Sequence, residues 1–121
     1  MLIEPWCIKK SDVHGEGLFA TRDINVGERV AHSADLESNK IHMYVWELSE
    51  AGRHTNHRTI PNTIVNSDGN KMTMVAINPI KMGEEIFVNY FQAASIMFEG
   101  RQFTYKGKLM PIISPKDLQS R

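Results

Sequence analysis

Between two more apolar segments lies a polar run, Gly52-Arg53-His54-Thr55-Asn56-His57-Arg58-Thr59-Ile60-Pro61-Asn62. Asn56 and His57 set an amide beside an imidazole, so the pair offers both donors and acceptors to a polar ligand. Pro61 fixes its own φ and biases Ile60 towards extended backbone. The run holds no helical or strand period and reads as a loop, where binding and catalytic groups collect. Its company gives it weight. His14-Gly15-Glu16-Gly17 lies upstream, and without Cβ atoms Gly15 and Gly17 let backbone approach a ligand closely. Gly83-Glu84-Glu85-Ile86-Phe87-Val88-Asn89-Tyr90 lies downstream and ends in a phenol. His54 and His57 are three apart, but no Cys lies nearby and no third ligand presents itself, so no metal site is expected.

Placing these three stretches against one another falls to the segments between them. Leu2 to Lys9 reads as a short edge strand, where Pro5 is tolerated. Ser11 to Gly17 is a turn-rich loop, and Leu18 to Thr21 a short apolar strand. Asp23 to Glu28 turns, with Gly27 at a positive-φ position. Arg29 to His32 resumes a strand, and Asp35 to Lys40 is a polar surface loop. Ile41 to Leu48 stays open between strand and helix: Met43 and Val45 alternate, whereas Tyr44 and Leu48 share a helical face. Asn62 to Val65 and Lys71 to Ile77 are the arms of a hairpin around the turn signal Asn66-Ser67-Asp68-Gly69-Asn70. Asn78-Pro79 and Met82-Gly83 punctuate the stretch beyond the second arm. Glu85 to Tyr90 is a strand with Ile86, Val88 and Tyr90 on one face. Ala93 to Glu99 is the best helical candidate, ended by Gly100. Pro111 and Pro115 give the end of the chain an irregular look. Many short strands, frequent turns and little helix make a mostly β domain.

Composition excludes several functions. A length of 121 residues suffices to bury a core without staples. Lys plus Arg is 14 and Asp plus Glu is 14, so no basic excess points to direct nucleic-acid binding. No apolar run approaches the roughly 20 residues of a membrane span. Cys7 is the single cysteine, which forbids an intrachain disulfide and fits a reducing compartment. The N-terminus lacks the charged-then-apolar pattern of a signal peptide.

The three stretches together resemble SET-domain protein lysine methyltransferases. Gly15-Glu16-Gly17-Leu18-Phe19-Ala20-Thr21-Arg22-Asp23-Ile24, then Gly27-Glu28, is similar to the family's opening motif. Arg53-His54-Thr55-Asn56-His57 followed by Pro61-Asn62 resembles its Arg-x-x-Asn-His-x-x-x-Pro-Asn motif. Ala76 to Tyr90 resembles the closing segment that ends in the catalytic Tyr. Order and spacing match over roughly residues 3 to 92, and the short length resembles the minimal viral and bacterial members.

The resemblance implies a β-clip SET fold: short strands in several small sheets, few short helices, and a C-terminal pseudoknot threaded under the Asn-His loop. The domain would span 1–107, leaving 108–121 as an irregular tail. It implies S-adenosyl-L-methionine as methyl donor and a lysine-bearing protein or peptide, histone or other, as acceptor. His14, Gly15, Glu16 and Gly17 would run against the donor's amino-acid end. Asn56 would bond its amino group, His57 would meet its adenine through backbone atoms, and Tyr90 would be the catalytic Tyr, also touching the donor. Tyr44, Val65, Val88 and Phe91 would line the substrate channel. Val88 and Val65 stand where a Tyr in the family tends to limit methylation, so multiple methylation is expected. The chain departs from the family at His54, Thr55, Arg58 and Thr59, which are polar where aromatic, aliphatic or small residues are usual. A catalytically weak or inactive protein-binding module on the same fold is therefore the alternative. The zinc-binding segment that closes the channel in many members is absent; Phe91, Phe98, Phe103 or Tyr105 would take its place, or a homodimer would. No membrane partner is implied, and the expected location is intracellular, in cytoplasm or a host nucleus.

Overall fold

The computed structural model describes residues 3–37, 45–68 and 71–97, with backbone alone at 36–37, 45–46, 68, 97, 104–105 and 108–109. The elements begin with β1 (Trp6–Lys10), β2 (Glu16–Ala20), β3 (Arg29–Glu37), β4 (Val45–Leu48), α1 (Glu50–His54) and β5 (Asn56–His57). They continue with β6 (Thr63–Asp68), β7 (Lys71–Ala76), β8 (Glu85–Val88), α2 (Tyr90–Met97), β9 (Thr104–Tyr105) and β10 (Lys108–Leu109). Strands dominate, as the sequence leads one to expect. One sheet has the order β1-β2-β8-β5, the other β4-β3-β7-β6, and β9 pairs with β10. Among the described residues no helix is long and apolar enough to cross a membrane.

Turns between the strands follow the glycines. Gly27 and Gly83 have φ of 88° and 89°, which L side chains rarely adopt. The turns they close are bound to each other, since Ile24 and Ile80 exchange backbone hydrogen bonds of 2.7 and 2.9 Å. Leu18, Ala20, Ile86 and Val88 of the first sheet share one buried cluster with Val30, Ala34, Val65, Met72 and Met74 of the second.

Three boundaries differ from the sequence reading and one ambiguity is resolved, in each case by the strand that supplies the pairing. β2 starts at Glu16, since Lys9 and Lys10 lie opposite Gly17 and Glu16 and draw them out of the expected loop. β3 runs on to Glu37, so Asp35 is not in a surface loop; it lies between Glu47 of β4 and Lys71 of β7. Asn66 to Asp68 belong to β6, with Asp68 opposite Lys71, so the hairpin is tighter than expected. The ambiguity at Ile41 to Leu48 resolves to strand from Val45 on; 41–44 lie outside the described residues.

Two helix starts were hidden in polar sequence. The run expected as a loop begins inside α1. Ser49 caps it, its Oγ accepting from Gly52 N at 3.0 Å, with Glu50 in the first turn and Arg53 and His54 in the last. Gly52 packs on a bulge of β3, where any Cβ would strike the Ser33 carbonyl. Tyr90 does not end a strand; it opens α2, because Asn89 Oδ1 accepts from Phe91 N at 2.9 Å and Gln92 N at 3.2 Å and caps the first turn.

Gln92 is fully buried and acts as a strand edge for β6: its Oε1 accepts from Val65 N at 2.9 Å and its Nε2 donates to Val65 O at 2.8 Å. Gln92→Ala removes both partners and leaves two buried backbone groups unpaired. A loss of roughly 2–4 kcal/mol is expected, read as a lower urea midpoint at unchanged slope. A midpoint within error of wild type would show that water replaces the side chain.

β8 is clasped by the segment that precedes β6. On one edge β5 runs parallel to it, with Asn56 opposite Phe87, and Arg58 N donates to Val88 O at 3.0 Å. Successive residues of a strand point their backbone groups to opposite edges. Phe87 therefore faces the other way, where Asn62 Oδ1 accepts from Phe87 N at 2.8 Å and Thr63 Oγ1 donates to Phe87 O at 2.7 Å. The chain from Asn56 to Thr63 thus meets both edges of β8 and crosses over it. This is the pseudoknot the resemblance implies, and it brings the three motifs to one place.

Candidate functional site

The centre of the site is one amide nitrogen. Two residues of β5 suffice to bury Asn56 beside β8. Its Nδ2 donates to His14 O at 3.0 Å, Glu16 O at 3.2 Å and Glu85 Oε2 at 2.9 Å. Buried Ser11 donates its hydroxyl to the same carboxylate, at 2.7 and 3.0 Å to the two oxygens. Gly17 is required here for space rather than for its φ: a Cβ would collide with the Glu85 carboxylate and crowd Asn56 Nδ2. Gly15, at φ 48°, makes the turn that points the His14 and Glu16 carbonyls at Asn56. His14, Gly15 and Glu16 are exposed. His54 Nε2 lies 3.7 Å from Glu16 Oε1.

His57 and Tyr90 form the second part. Tyr90 N donates to His57 Nδ1 at 2.9 Å, and the rings sit 5.0 Å apart. A nitrogen that accepts carries no proton, and burial moves the His57 pKa below its ordinary value, so both observations favour neutral imidazole. The Tyr90 hydroxyl donates to Thr55 O at 2.8 Å. Burial raises its pKa above the ordinary tyrosine value, so the phenol stays protonated. Thr55 is itself buried and held by its Oγ1, which donates to Ala51 O at 2.6 Å.

Beside this pair opens a cavity of about 270 Å³, mostly apolar. Val65, Val88, Met74, Thr55, Tyr90 and Ala93 contribute to its wall. Three residues expected at one channel therefore come together, Val65, Val88 and Tyr90. Phe91 does not share that wall; its ring meets the edge of His57 with centroids 5.6 Å apart. Tyr44 lies outside the described residues, as do Phe98 and Phe103, and the side chain of Tyr105 is not described. Among the described residues no group of three His, Cys, Asp or Glu side chains is placed to hold a metal ion.

Sequence reasoning missed Glu85, Ser11, Thr55 and Asn62. Ser11 and Glu85 are 74 positions apart and nothing local links them. Asn62 stands in a motif without a role of its own; its Nδ2 donates to Glu85 O at 2.9 Å while its Oδ1 takes Phe87 N. The arrangement can do two things. A cluster of acceptors with an anionic carboxylate suits a cationic, donor-rich group. An apolar cavity ending at a protonated phenol suits an amine that must arrive without its charge.

The SET-domain family model matches residues 31–91, half of the chain. No match was found among curated proteins. Solved structures similar to the chain include a Plasmodium falciparum protein named as a candidate histone methyltransferase, 23% identical with a TM-score of 0.62. That match covers 74% of this chain and 95% of the other. The polycomb repressive complex 2 of Chaetomium thermophilum is 24% identical with a TM-score of 0.60, over 74% of this chain and 15% of that one. The methyltransferase domain of human PR domain-containing protein 2 is 16% identical with a TM-score of 0.56, covering 72% and 77%. At these identities the likeness speaks for the fold.

Proposed function

The chain belongs to the SET-domain family, and from that premise we propose that it is a protein lysine N-methyltransferase using S-adenosyl-L-methionine. The observation that carries the reading is that two features of complementary chemistry sit on neighbouring residues: the acceptor cluster at Asn56, and the apolar cavity lined by Thr55 and Tyr90, whose hydroxyl is bonded to Thr55 O. The residues fit the donor. His14 O, Glu16 O and Asn56 would hold its ammonium end, and the backbone at His57 its adenine. When bound, its sulfonium would supply an electrophilic methyl group to a neutral amine, the N–C bond forming in line as the S–C bond breaks and S-adenosylhomocysteine leaves.

The chain's own residues prepare that amine. Lysine's ordinary pKa is about 10.4, so the ammonium must lose a proton before attack. Walls such as Val65, Val88 and Met74 disfavour its charge and lower that pKa. No side chain of the cavity is a strong base, so positioning and exclusion of water do most of the work. The Tyr90 proton is committed to Thr55 O, which leaves the phenol lone pairs free to accept an N–H of the amine. Backbone carbonyls such as Thr55 O can meet polarised methyl hydrogens through weak C–H···O contacts.

Titration calorimetry with S-adenosyl-L-methionine, followed by transfer of a labelled methyl group to lysine-bearing proteins, tests the reading. Absence of donor binding both alone and with lysine peptide would refute it. Val88 and Val65 add no hydroxyl to the cavity wall where a Tyr would, so di- and trimethyl products are expected in mass spectra at exhaustive turnover. Val88→Tyr is expected to shift the product towards monomethyl-lysine, and a wild type that stops at one methyl would overturn this part.

A further inference from the structure

We propose that the Glu85 carboxylate is the counter-charge that selects the ammonium group of the methyl donor. The inference rests on the donor reading above and adds to it a residue that neither the sequence nor the family comparison singles out. Glu85 opens β8 and is part-buried. Among the described residues its oxygens receive only neutral donors, Ser11 Oγ and Asn56 Nδ2. None of the ion pairs among the described residues involves it. The nearby cations of β1 point elsewhere: Lys9 lies over the Phe19 ring at 6.0 Å, and Lys10 is exposed. A part-buried carboxylate whose described donors are neutral gains most from a cation.

The hydrogen-bond count points the same way. Asn56 Nδ2 carries two hydrogens, yet three acceptors lie within 3.2 Å of it: His14 O, Glu16 O and Glu85 Oε2. One acceptor is in surplus, and one of the three is anionic. An ammonium, with three N–H donors and a positive charge, supplies both deficits; a hydroxyl supplies only a hydrogen. Gly17 fits this role, because its missing Cβ is what lets the carboxylate lie against Asn56.

The experiment separates charge from shape. Calorimetry compares S-adenosylhomocysteine with its analogue in which a hydroxyl replaces the ammonium. Wild-type protein is expected to prefer the ammonium form by about tenfold or more. Glu85→Gln keeps the size and one acceptor oxygen, and is expected to shrink that preference to about twofold by weakening the ammonium form alone. An unchanged preference in Glu85→Gln, or equal loss of both ligands, would overturn the proposal while leaving the donor site standing. Equal affinity of the wild type for the two ligands would overturn the proposal as well, since no counter-charge would then operate. Binding of neither ligand to wild type removes the donor reading, and this inference with it.

Discussion

Tyr90→Phe is expected to lower the rate of methyl transfer by about 10²-fold or more while donor affinity stays within about twofold. The reason lies in which way the phenol proton points. Tyr90 Oη donates to Thr55 O at 2.8 Å, and Thr55 is fixed in turn by its bond to Ala51 O. The hydroxyl is thus held in one orientation, its proton on Thr55 O and its lone pairs left to accept. An amine held there would have an N–H engaged and its own lone pair directed away from it. Phe keeps the ring that walls the cavity and contacts His57 at 5.0 Å, but offers no acceptor. The amine then enters the cavity without a fixed direction. Thr55 O also loses its partner, at about 1 kcal/mol, so the variant remains folded.

The pH profile separates this role from general-base catalysis. Burial raises the Tyr90 pKa above its ordinary value of 10.0, so the phenol stays protonated where free tyrosine begins to ionise. The wild-type rate is expected to rise with pH as the substrate amine loses its proton, without a limb near neutrality from Tyr90. Stopped-flow single turnovers from about pH 7 to about pH 10, where the neutral fraction of lysine climbs, give both quantities. A Tyr90→Phe enzyme retaining more than about a third of the wild-type single-turnover rate would show that the ring alone does the positioning.

How much of the fold and site was legible depends on how far apart the partners lie. Gly27 and Gly83 declared their turns, because a positive φ is a property of one residue. The β6–β7 hairpin was readable because its arms are adjacent. α1 was not, although Ser49 before Glu50 is a cap signal; five residues are too few to show a period, and the helix is held by Gly52 packing on Ser33. Asn89 likewise announces a helix, but the apolar alternation of Ile86 and Val88 carries the eye through it to Tyr90. The motifs gave Asn56, His57 and Tyr90 as names with roles. What they did not give is the physics of the contact: three acceptors on one amide nitrogen, from segments around residues 14 and 85, exist only once β5 has met β8. The cavity wall is the same kind of object, built from β3, β4, α1, β6, β7, β8 and α2.

Asn56→Ala is expected to abolish measurable donor binding and to cost roughly 2–4 kcal/mol of stability. Two carbonyls and a carboxylate oxygen lose their shared donor at once, and only Ser11 still serves Glu85. Loss of binding alone does not say whether Asn56 acts directly or merely holds the loop. Asn56→Asp does. It preserves shape but sets a second carboxylate within hydrogen-bond distance of Glu85 and beside two carbonyls. Two such groups cannot both ionise cheaply, so the pair's upper pKa in the folded protein rises above its unfolded value. A raised folded pKa means the folded state binds more protons, so stability is present at low pH and is lost as pH rises through that pKa. Asn56→Asp is therefore expected to melt at a lower temperature at neutral pH than near pH 5, unlike the Ala variant measured beside it. An ammonium-bearing ligand supplies the missing positive charge and should recover part of the neutral-pH loss, whereas the hydroxyl analogue should not. Equal pH dependence in the Asp and Ala variants would mean that the acceptor cluster is open to water, and that charge at Asn56 and Glu85 does not govern what binds there.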